Sequence, residues 1–379
     1  MLSAISHRAY RTRVPSILAR RLIAGGDISD LGSGPVEVLV DDSGTITAVR
    51  PHDGSTPDVT LVPGFVDVQV NGIDDVDVFS AAGADWDRLA GLLLDQGVTS
   101  WCPTLVTNRL DRFDAPLARI ADAAQRNGTP AIIGAHLEGP FLGGAPGAHP
   151  RELLAPVDLP WLGALPPVVR LVTIAAEIPG AVDAARLLAQ RGVVVSIGHS
   201  TPSADDIEAM VGAGATMVTH LFNGMSGVHH RSPGLASYAL VDDRLSVGLI
   251  ADLVHVHPTA LSLAFRAKPA DRIVLVTDAV AWRRGAVGRI AMSLQDGAPR
   301  LADGTLAGSA VTMDQAVRNL VHTCGLPLAA VVRAASTNPA RLLGCTDRGV
   351  IAAGRRADLV ALDAALRVAG VWLGGEQVR

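Results

Sequence analysis

The chain has 379 residues, 49% hydrophobic but only 3% aromatic, with 32 basic against 37 acidic residues and a net charge of -5. That length holds one large barrel or two ordinary domains with ample core, and the scattered basic residues form no stripe able to neutralise a nucleic-acid backbone. The widely spaced Cys102, Cys324 and Cys345 exclude a disulfide framework or a CxxC zinc site and fit a reducing cytoplasm, and no apolar run reaches the ~18 residues that span a bilayer.

Residues 1–21 contain Arg8, Arg11, Arg13, Arg20 and Arg21 and no acid, and read as an N-terminal extension, with a transit peptide as the alternative. From 22 to 62 short β runs, LIAGGD, VEVLVDDSG and TITAVRP, are separated by turn residues. The same texture returns over 345–379, so the two chain ends are expected to form one small β-sandwich domain around everything between. Within 63–344 short apolar strands alternate with amphipathic helices: FVDVQV, TSWCPTLV, AIIGAHLE, VRLVTIAAE, GVVVSIGHS, GATMVTHLF, LSVGLIAD and RIVLVTDA. Eight βα units of this size predict an α/β fold, a (β/α)8 TIM-like barrel. A doubly wound sheet would carry a GxGxxG or GxxxxGK[ST] turn, and neither occurs.

A barrel keeps its chemistry at the C-terminal ends of its strands. Glu138, His199 and His220 fall there on three strands. One strand-end histidine is ordinarily a hydrogen-bonded structural residue, but two on adjacent strands with a carboxylate on a third make a metal site. Three such ligands leave a fourth position for water, whose pKa Zn2+ lowers to about 7. Asp278, ending the last strand, suits proton transfer there, although an Asp after a strand also caps helices. The glycine-rich HLEGPFLGGAPGAH ends in His149, a candidate for touching the substrate. Asn223, Gly224 and Arg231 follow His220, and Arg231 is either a grip for phosphate or carboxylate oxygens or an ordinary surface arginine. His136 shares the strand face of Glu138 and reads as a support for the site. The adjacent His229 and His230 read as loop residues. A metal-free barrel kept as a binding protein is the rival from another class.

These segments stand in the order PGFVDVQVNG, GVTSWCPTLVT, GAHLEGPF with GAH, GHS, THLFNGM with RSPG, IADLVHV, LVTDA, LAGSAVTMDQAVRNLV, ASTNPARLLG and GVIAAGRRADLVALD. In that order they resemble the N-acetylglucosamine-6-phosphate deacetylases of the amidohydrolase superfamily, over nearly the whole chain from about residue 22. The resemblance implies metal-dependent hydrolysis of N-acetyl-D-glucosamine 6-phosphate to D-glucosamine 6-phosphate and acetate, with another amidohydrolase acting on a different N-acyl or cyclic amide as the alternative. It implies Glu138, His199 and His220 as metal ligands and Asp278 as the acid/base. His149 would orient the acetamido carbonyl, and Ala148, Leu306, Ala307 and Gly308 would touch the substrate. Asn223, Gly224 and Arg231 would bind phosphate, and His255 would reach the phosphate of a neighbouring subunit in a homodimer. Where many amidohydrolases carry HxH for a second metal, this chain has Gln69 and Asn71, and amides are poor ligands beside imidazole. One divalent metal per subunit is therefore expected, Zn2+ with Fe2+ as the alternative. The partner is a small phosphorylated amino sugar, with no nucleic acid or membrane. The chain departs from the family pattern at Asp74 and Asp75, at Ala145 and Pro146, at Leu253 and in AWRRGAVGRIAM after Asp278.

Overall fold

The computed structural model describes residues 16–26, 34–287 and 290–379. The Arg-rich residues 1–15 of the expected extension lie outside the described residues. Eight parallel strands run in chain order: β1 (Phe65–Val70), β2 (Val98–Val106), β3 (Ala135–Glu138), β4 (Val169–Ile174), β5 (Val194–Ile197), β6 (Ala215–Val218), β7 (Ser246–Ile250) and β8 (Ile273–Val276). Each pairs with the next, from β1 against β2 to β7 against β8. Such strands are covered on both faces and so read as continuous apolar runs; every residue of β1, β2 and β8 is buried.

A helix follows each strand: α1 (Asp85–Asp95), α2 (Asp114–Ala123), α3 (Leu159–Ala164), α4 (Ala181–Gln190), α5 (Ala204–Gly212), α6 (Leu235–Val241), α7 (Pro258–Ala267) and α8 (Met313–Arg318). Their apolar faces follow helical spacing, as with Trp86, Leu89 and Leu93 on α1. Helix α5 is started by a capping box in which the Ser203 hydroxyl and the Asp206 carboxylate satisfy each other's backbone N–H. The barrel interior is plugged by Val66, Val68, Cys102, Leu171, Met217, Ile250, Val274 and Val276, so it is a packed core with its working surface at one end.

The β1/β8 seam carries one isolated bridge, between Val70 and Ala279. Backbone N–H groups of Asn71 and Gly72 donate to the Ala279 carbonyl at 2.8 and 3.0 Å, and the Asp67 side chain adds to this closure. Its carboxylate accepts the Thr277 hydroxyl at 2.5 Å and the backbone N–H of Thr277 and Gln69 at 3.3 and 3.2 Å. The Asp278 N–H then donates to the Gln69 carbonyl at 3.0 Å, which sets Asp278 beside β1.

The chain ends form the expected small β-sandwich. A three-stranded sheet (Ser16–Ala19, Val36–Val40, Ile46–Pro51) faces a five-stranded one made of Arg21–Leu22, Thr60–Pro63, Leu359–Leu362, Val368–Leu373 and Glu376–Gln377. Ile17, Val38, Ile46, Leu61, Ile351 and Leu359 share the core between them. The boundary expected at residue 22 is corrected by this sheet, because Ser16–Ala19 pairs antiparallel with Val36–Val40. Ile17 and Ala19 are buried on alternating positions, a strand signal too short to stand out beside the arginines of that segment.

The seam yields a direct test. Asp67→Ala leaves the Thr277 hydroxyl and two buried N–H groups without their acceptor, at a cost of about 1–3 kcal/mol. Thermal unfolding should show a Tm lowered by a few degrees; an unchanged Tm would mean that the backbone alone closes the barrel.

Candidate metal centre at the barrel mouth

The strand ends turn sharply. His199, His220 and Asp278, just beyond β5, β6 and β8, have φ of 51°, 26° and 50°. Left-handed backbone is uncommon for residues other than glycine and costs of order 1–3 kcal/mol each, so it persists only where surrounding structure enforces it. Here it directs three polar side chains into one buried cluster.

Oε1 of Glu138 lies 3.1 Å from Nε2 of His199 and 2.9 Å from Nε2 of His220, and the two Nε2 atoms are 3.1 Å apart. The opposite ring nitrogens are occupied. Nδ1 of His199 donates to the Ala145 carbonyl at 3.1 Å, and Nδ1 of His220 donates to the Asn223 carbonyl at 3.2 Å. In the neutral imidazoles this leaves both Nε2 lone pairs facing each other and a carboxylate oxygen. The three distances are close to the ~3.3 Å edge of a tetrahedron with metal–ligand bonds of about 2.0 Å. The donor set fits a divalent cation.

The charges give the same reading. Burial pushes the Glu138 carboxyl up, but hydrogen bonds from His199 and His220 override this and hold it well below the usual range. Burial likewise works against a charged His220, and the Glu138 carboxylate overrides it and raises the imidazole. Among protein groups alone, the cluster therefore stabilises a positive charge at its centre, which a proton or a metal supplies. Gly224 permits the close packing: a Cβ there would stand 2.7 Å from Nδ1 of His199, and its φ is 56°.

His149 also approaches this cluster, and its ligand atom lies within 4.8 Å of those of Glu138 and His199. Its ring sits edge-on to His199 with centroids 4.4 Å apart, and Nδ1 is 2.8 Å from the Thr107 hydroxyl. His220 is the closer companion of the other two. Burial first, then neighbouring His199, pushes His149 down to about 3, so it is neutral at ordinary pH. Burial pushes His136 down to about 4, and its Nε2 is 2.8 Å from the Thr173 hydroxyl, beneath the cluster.

Asp278 is buried beside these groups. Its Oδ1 accepts from the amides of Asn71 and Gln69 at 2.7 and 3.1 Å, and Gln69 also donates to Glu138 Oε1 at 3.0 Å. Gln69 and Asn71 thus brace the two carboxylates from β1. Burial, then the negative charge of Glu138, raises Asp278 to about 7; a cation alongside would draw it down again.

The cluster forms the floor of a cavity of about 290 Å3, near the lower end for small-molecule sites. Asn71, Ala148, His149, Asn223, Gly224, Leu306, Ala307 and Gly308 line it with Glu138, His199, His220 and Asp278. His255 lines this same chain's cavity, which corrects the expectation that it reaches a neighbour's site. Its Nδ1 is anchored 2.6 Å from the Asp252 carboxylate, which also accepts the N–H of Val254 and His255. Arg231 is not brought in; it is exposed on a loop, and no Arg or Lys lines the cavity among the described residues.

Sequence reasoning missed Thr107 and an apolar wall of Val106, Val280 and Met292. Thr107 follows β2 as Asp278 follows β8, but a threonine carries no comparable signal. Met292 ends the AWRRGAVGRIAM segment after Asp278, whose position over the site no periodicity reveals. Two departures from the family pattern meet here: Arg283 in that segment pairs with Asp74 at 2.8 Å, and Arg88 bridges Asp74 and Asp75 at 3.0 and 3.3 Å. Ala145 contributes through its carbonyl, so a side-chain change there leaves the His199 hydrogen bond intact. Leu253 takes a φ of 66°, where a glycine would be unstrained.

The amidohydrolase family model matches residues 60–378. The chain belongs to the amidohydrolase family. It is 39% identical over 348 residues to N-acetylgalactosamine-6-phosphate deacetylase of Escherichia coli O157:H7, covering 88% of this chain and 92% of that one. It is 38% identical over 341 residues to N-acetylglucosamine-6-phosphate deacetylase of Homo sapiens, with 84% and 83% covered. Among solved structures, an aspartate-to-alanine mutant of N-acetyl-D-glucosamine-6-phosphate deacetylase from Mycobacterium smegmatis, in complex with N-acetyl-D-glucosamine-6-phosphate, superposes with a TM-score of 0.88 at 32% identity, covering 96% of this chain and 98% of that one. The Thermotoga maritima N-acetylglucosamine-6-phosphate deacetylase gives 0.88 at 31% identity, with 96% and 99% covered.

Exchanging Glu138 for its neutral isostere checks the centre. Glu138→Gln removes the negative charge from the candidate donor set, and metal affinity measured by chelator competition should fall by more than the ~100-fold that loss of a supporting group costs. Wild-type affinity in this variant would move the site away from Glu138.

Proposed function

We propose that this chain is a deacetylase of amino-sugar 6-phosphates, converting N-acetyl-D-glucosamine 6-phosphate and water to D-glucosamine 6-phosphate and acetate. The observation that carries the reading is the convergence of Glu138, His199 and His220 beside Asp278 on the floor of one cavity, in a chain resembling enzymes named for this reaction. Residues 63–344 would be the catalytic unit, and 22–62 with 345–379 the small domain, extended by the strand at Ser16–Ala19. Three free cysteines suit a reducing cytoplasm, and no helix among the described residues is long and apolar enough to cross a membrane.

Glu138, His199 and His220 would hold one divalent cation, Zn2+ or Fe2+. When bound, it supplies Lewis-acid polarisation of the acetamido carbonyl and an acidified water. The protein groups do the rest. Asn71 and Gln69 fix Oδ1 of Asp278, so Oδ2 is the oxygen that takes the proton from the attacking water. Asp278 then returns this proton to the amine nitrogen, which cannot leave readily as an anion. The Thr107 hydroxyl lies 2.8 Å from Nδ1 of His149 and 3.4 Å from the Glu138 carbonyl; with its proton on the shorter contact, the His149 ring would be protonated at Nε2, the tautomer able to donate to the carbonyl oxygen as charge develops there.

The sugar phosphate would lie toward Asn223, Gly224 and His255. A dianion with no cationic Arg or Lys in the cavity wall is undercompensated. We assign the missing charge to Arg231 of a second copy, so that the dimer interface completes each site. His255 and Arg231 thus come from opposite subunits.

The galacto epimer is the second reading, favoured by the 39% identity to a deacetylase named for N-acetylgalactosamine 6-phosphate. Acetate release from both 6-phosphates and from unphosphorylated N-acetylglucosamine decides. We expect the dephosphorylated sugar to lose at least ~100-fold in kcat/KM, and the preferred epimer to emerge directly; equal values with and without phosphate would remove the phosphate assignment.

Subunit mixing tests the two roles together. Asp278→Asn should retain metal and lose roughly 100- to 10,000-fold in turnover, and Arg231→Ala should raise KM. Dimers re-formed from an equal mixture should regain about a quarter of wild-type sites, because each mixed dimer pairs an intact Asp278 with an intact Arg231 across the interface. A mixture no better than its components would place Arg231 within its own subunit's site.

A further inference from the structure

We infer that Glu177 is a positioning residue that clamps the glycine-rich loop and thereby holds His199 in its ligand orientation; the metal part of this inference rests on the reading above. Glu177 lies beyond the end of β4 and does not line the cavity. Its Oε1 accepts the backbone N–H of Gly144 at 2.7 Å and of Thr201 at 2.9 Å, and its Oε2 accepts the Ser200 hydroxyl. One carboxylate therefore ties together loops that follow β3, β4 and β5. Burial pushes its carboxyl up, but these hydrogen bonds outweigh burial and keep it ionised, as an acceptor of several donors must be.

The connection to the metal centre runs through one peptide unit. The N–H held by Glu177 belongs to Gly144, and the carbonyl of the following residue, Ala145, accepts the Nδ1 proton of His199 at 3.1 Å. This bond sets the tautomer that leaves Nε2 as the lone pair facing Glu138 and His220. The other side of the link is also fixed: Gly143 donates its N–H to the His199 carbonyl at 2.9 Å, and Ser200 its own to the Gly224 carbonyl at 3.0 Å. The same loop continues to Ala148 and His149 in the cavity wall.

The glycine pair fits this purpose. A Cβ at Gly143 would stand 2.1 Å from Oε1 of Glu177, and one at Gly144 2.1 Å from the Thr201 hydroxyl. The loop can lie against the carboxylate only because both positions lack side chains.

The test compares Glu177→Gln with wild type and with Thr201→Ala, which keeps the Thr201 N–H and the Gly144 hydrogen bond. Hydrogen exchange of the 141–149 segment is measured on metal-free protein, and Zn2+ affinity by chelator competition. Glu177→Gln should speed exchange of this segment and weaken Zn2+ binding about tenfold, while Thr201→Ala leaves Zn2+ affinity at the wild-type value. Glu177→Asp, which keeps the charge but shortens the reach by one methylene, should fall between, and it carries the test if the glutamine variant does not fold. Unchanged exchange, or faster exchange with unchanged Zn2+ affinity, would overturn the inference. So would an equal loss of affinity in Thr201→Ala. If wild type itself fails to bind Zn2+, the metal reading falls, and exchange alone then decides whether Glu177 clamps the loop.

Discussion

Three acceptors crowd one point at the mouth of this barrel. A carboxylate oxygen and two imidazole nitrogens lie within 3.1 Å of one another, and each histidine has committed its other nitrogen to a backbone carbonyl. Such an arrangement is repulsive unless a positive charge stands between the three, and burial intensifies the conflict because little water reaches them to screen it. The surrounding structure resists this conflict and holds it in place.

The holding begins with the barrel. Parallel strands buried on both faces place their ends in one ring, and the left-handed residues beyond β5, β6 and β8 turn the side chains inward. Asp67 and the backbone hydrogen bonds around Ala279 close the ring between β8 and β1 and so bring Asp278 against Gln69 and Asn71. Behind the cluster a hydroxyl chain, from Ser196 through Thr219 to Thr173, supports His136. Strain at the strand ends and satisfaction of the groups around them belong together: the left-handed conformations are tolerable because neighbouring elements leave no other choice.

Much of this was legible in the chain. The eight strands stand out as short apolar runs, and Glu138, His199, His220 and Asp278 occur where such runs end, so their meeting follows once the barrel is recognised. What was not legible depends on relations between distant segments. The strand at Ser16–Ala19 gains its pairing from Val36–Val40, which its own arginine-rich surroundings do not announce. His255 and Arg231 look equivalent as basic residues near the site, but only the folded chain shows His255 anchored to Asp252 in its own cavity and Arg231 exposed. Asp74 and Arg283 read separately as departures from the family pattern and prove to be partners in one ion pair. Glu177 could be placed at a strand end, but its grip on the loop behind His199 follows from backbone N–H groups, which have no signature in sequence.

The most direct measurement is X-ray absorption at the metal edge of the purified, metal-loaded protein. A metal held by Glu138, His199 and His220 would show two imidazole nitrogens at about 2.0–2.1 Å with carboxylate and water oxygens at about 2.0–2.2 Å and no second metal beside it. A shell with three imidazoles, with sulfur, or with a second metal at about 3.5–4 Å would contradict the assignment of Glu138, His199 and His220 as the centre on which the molecule is built.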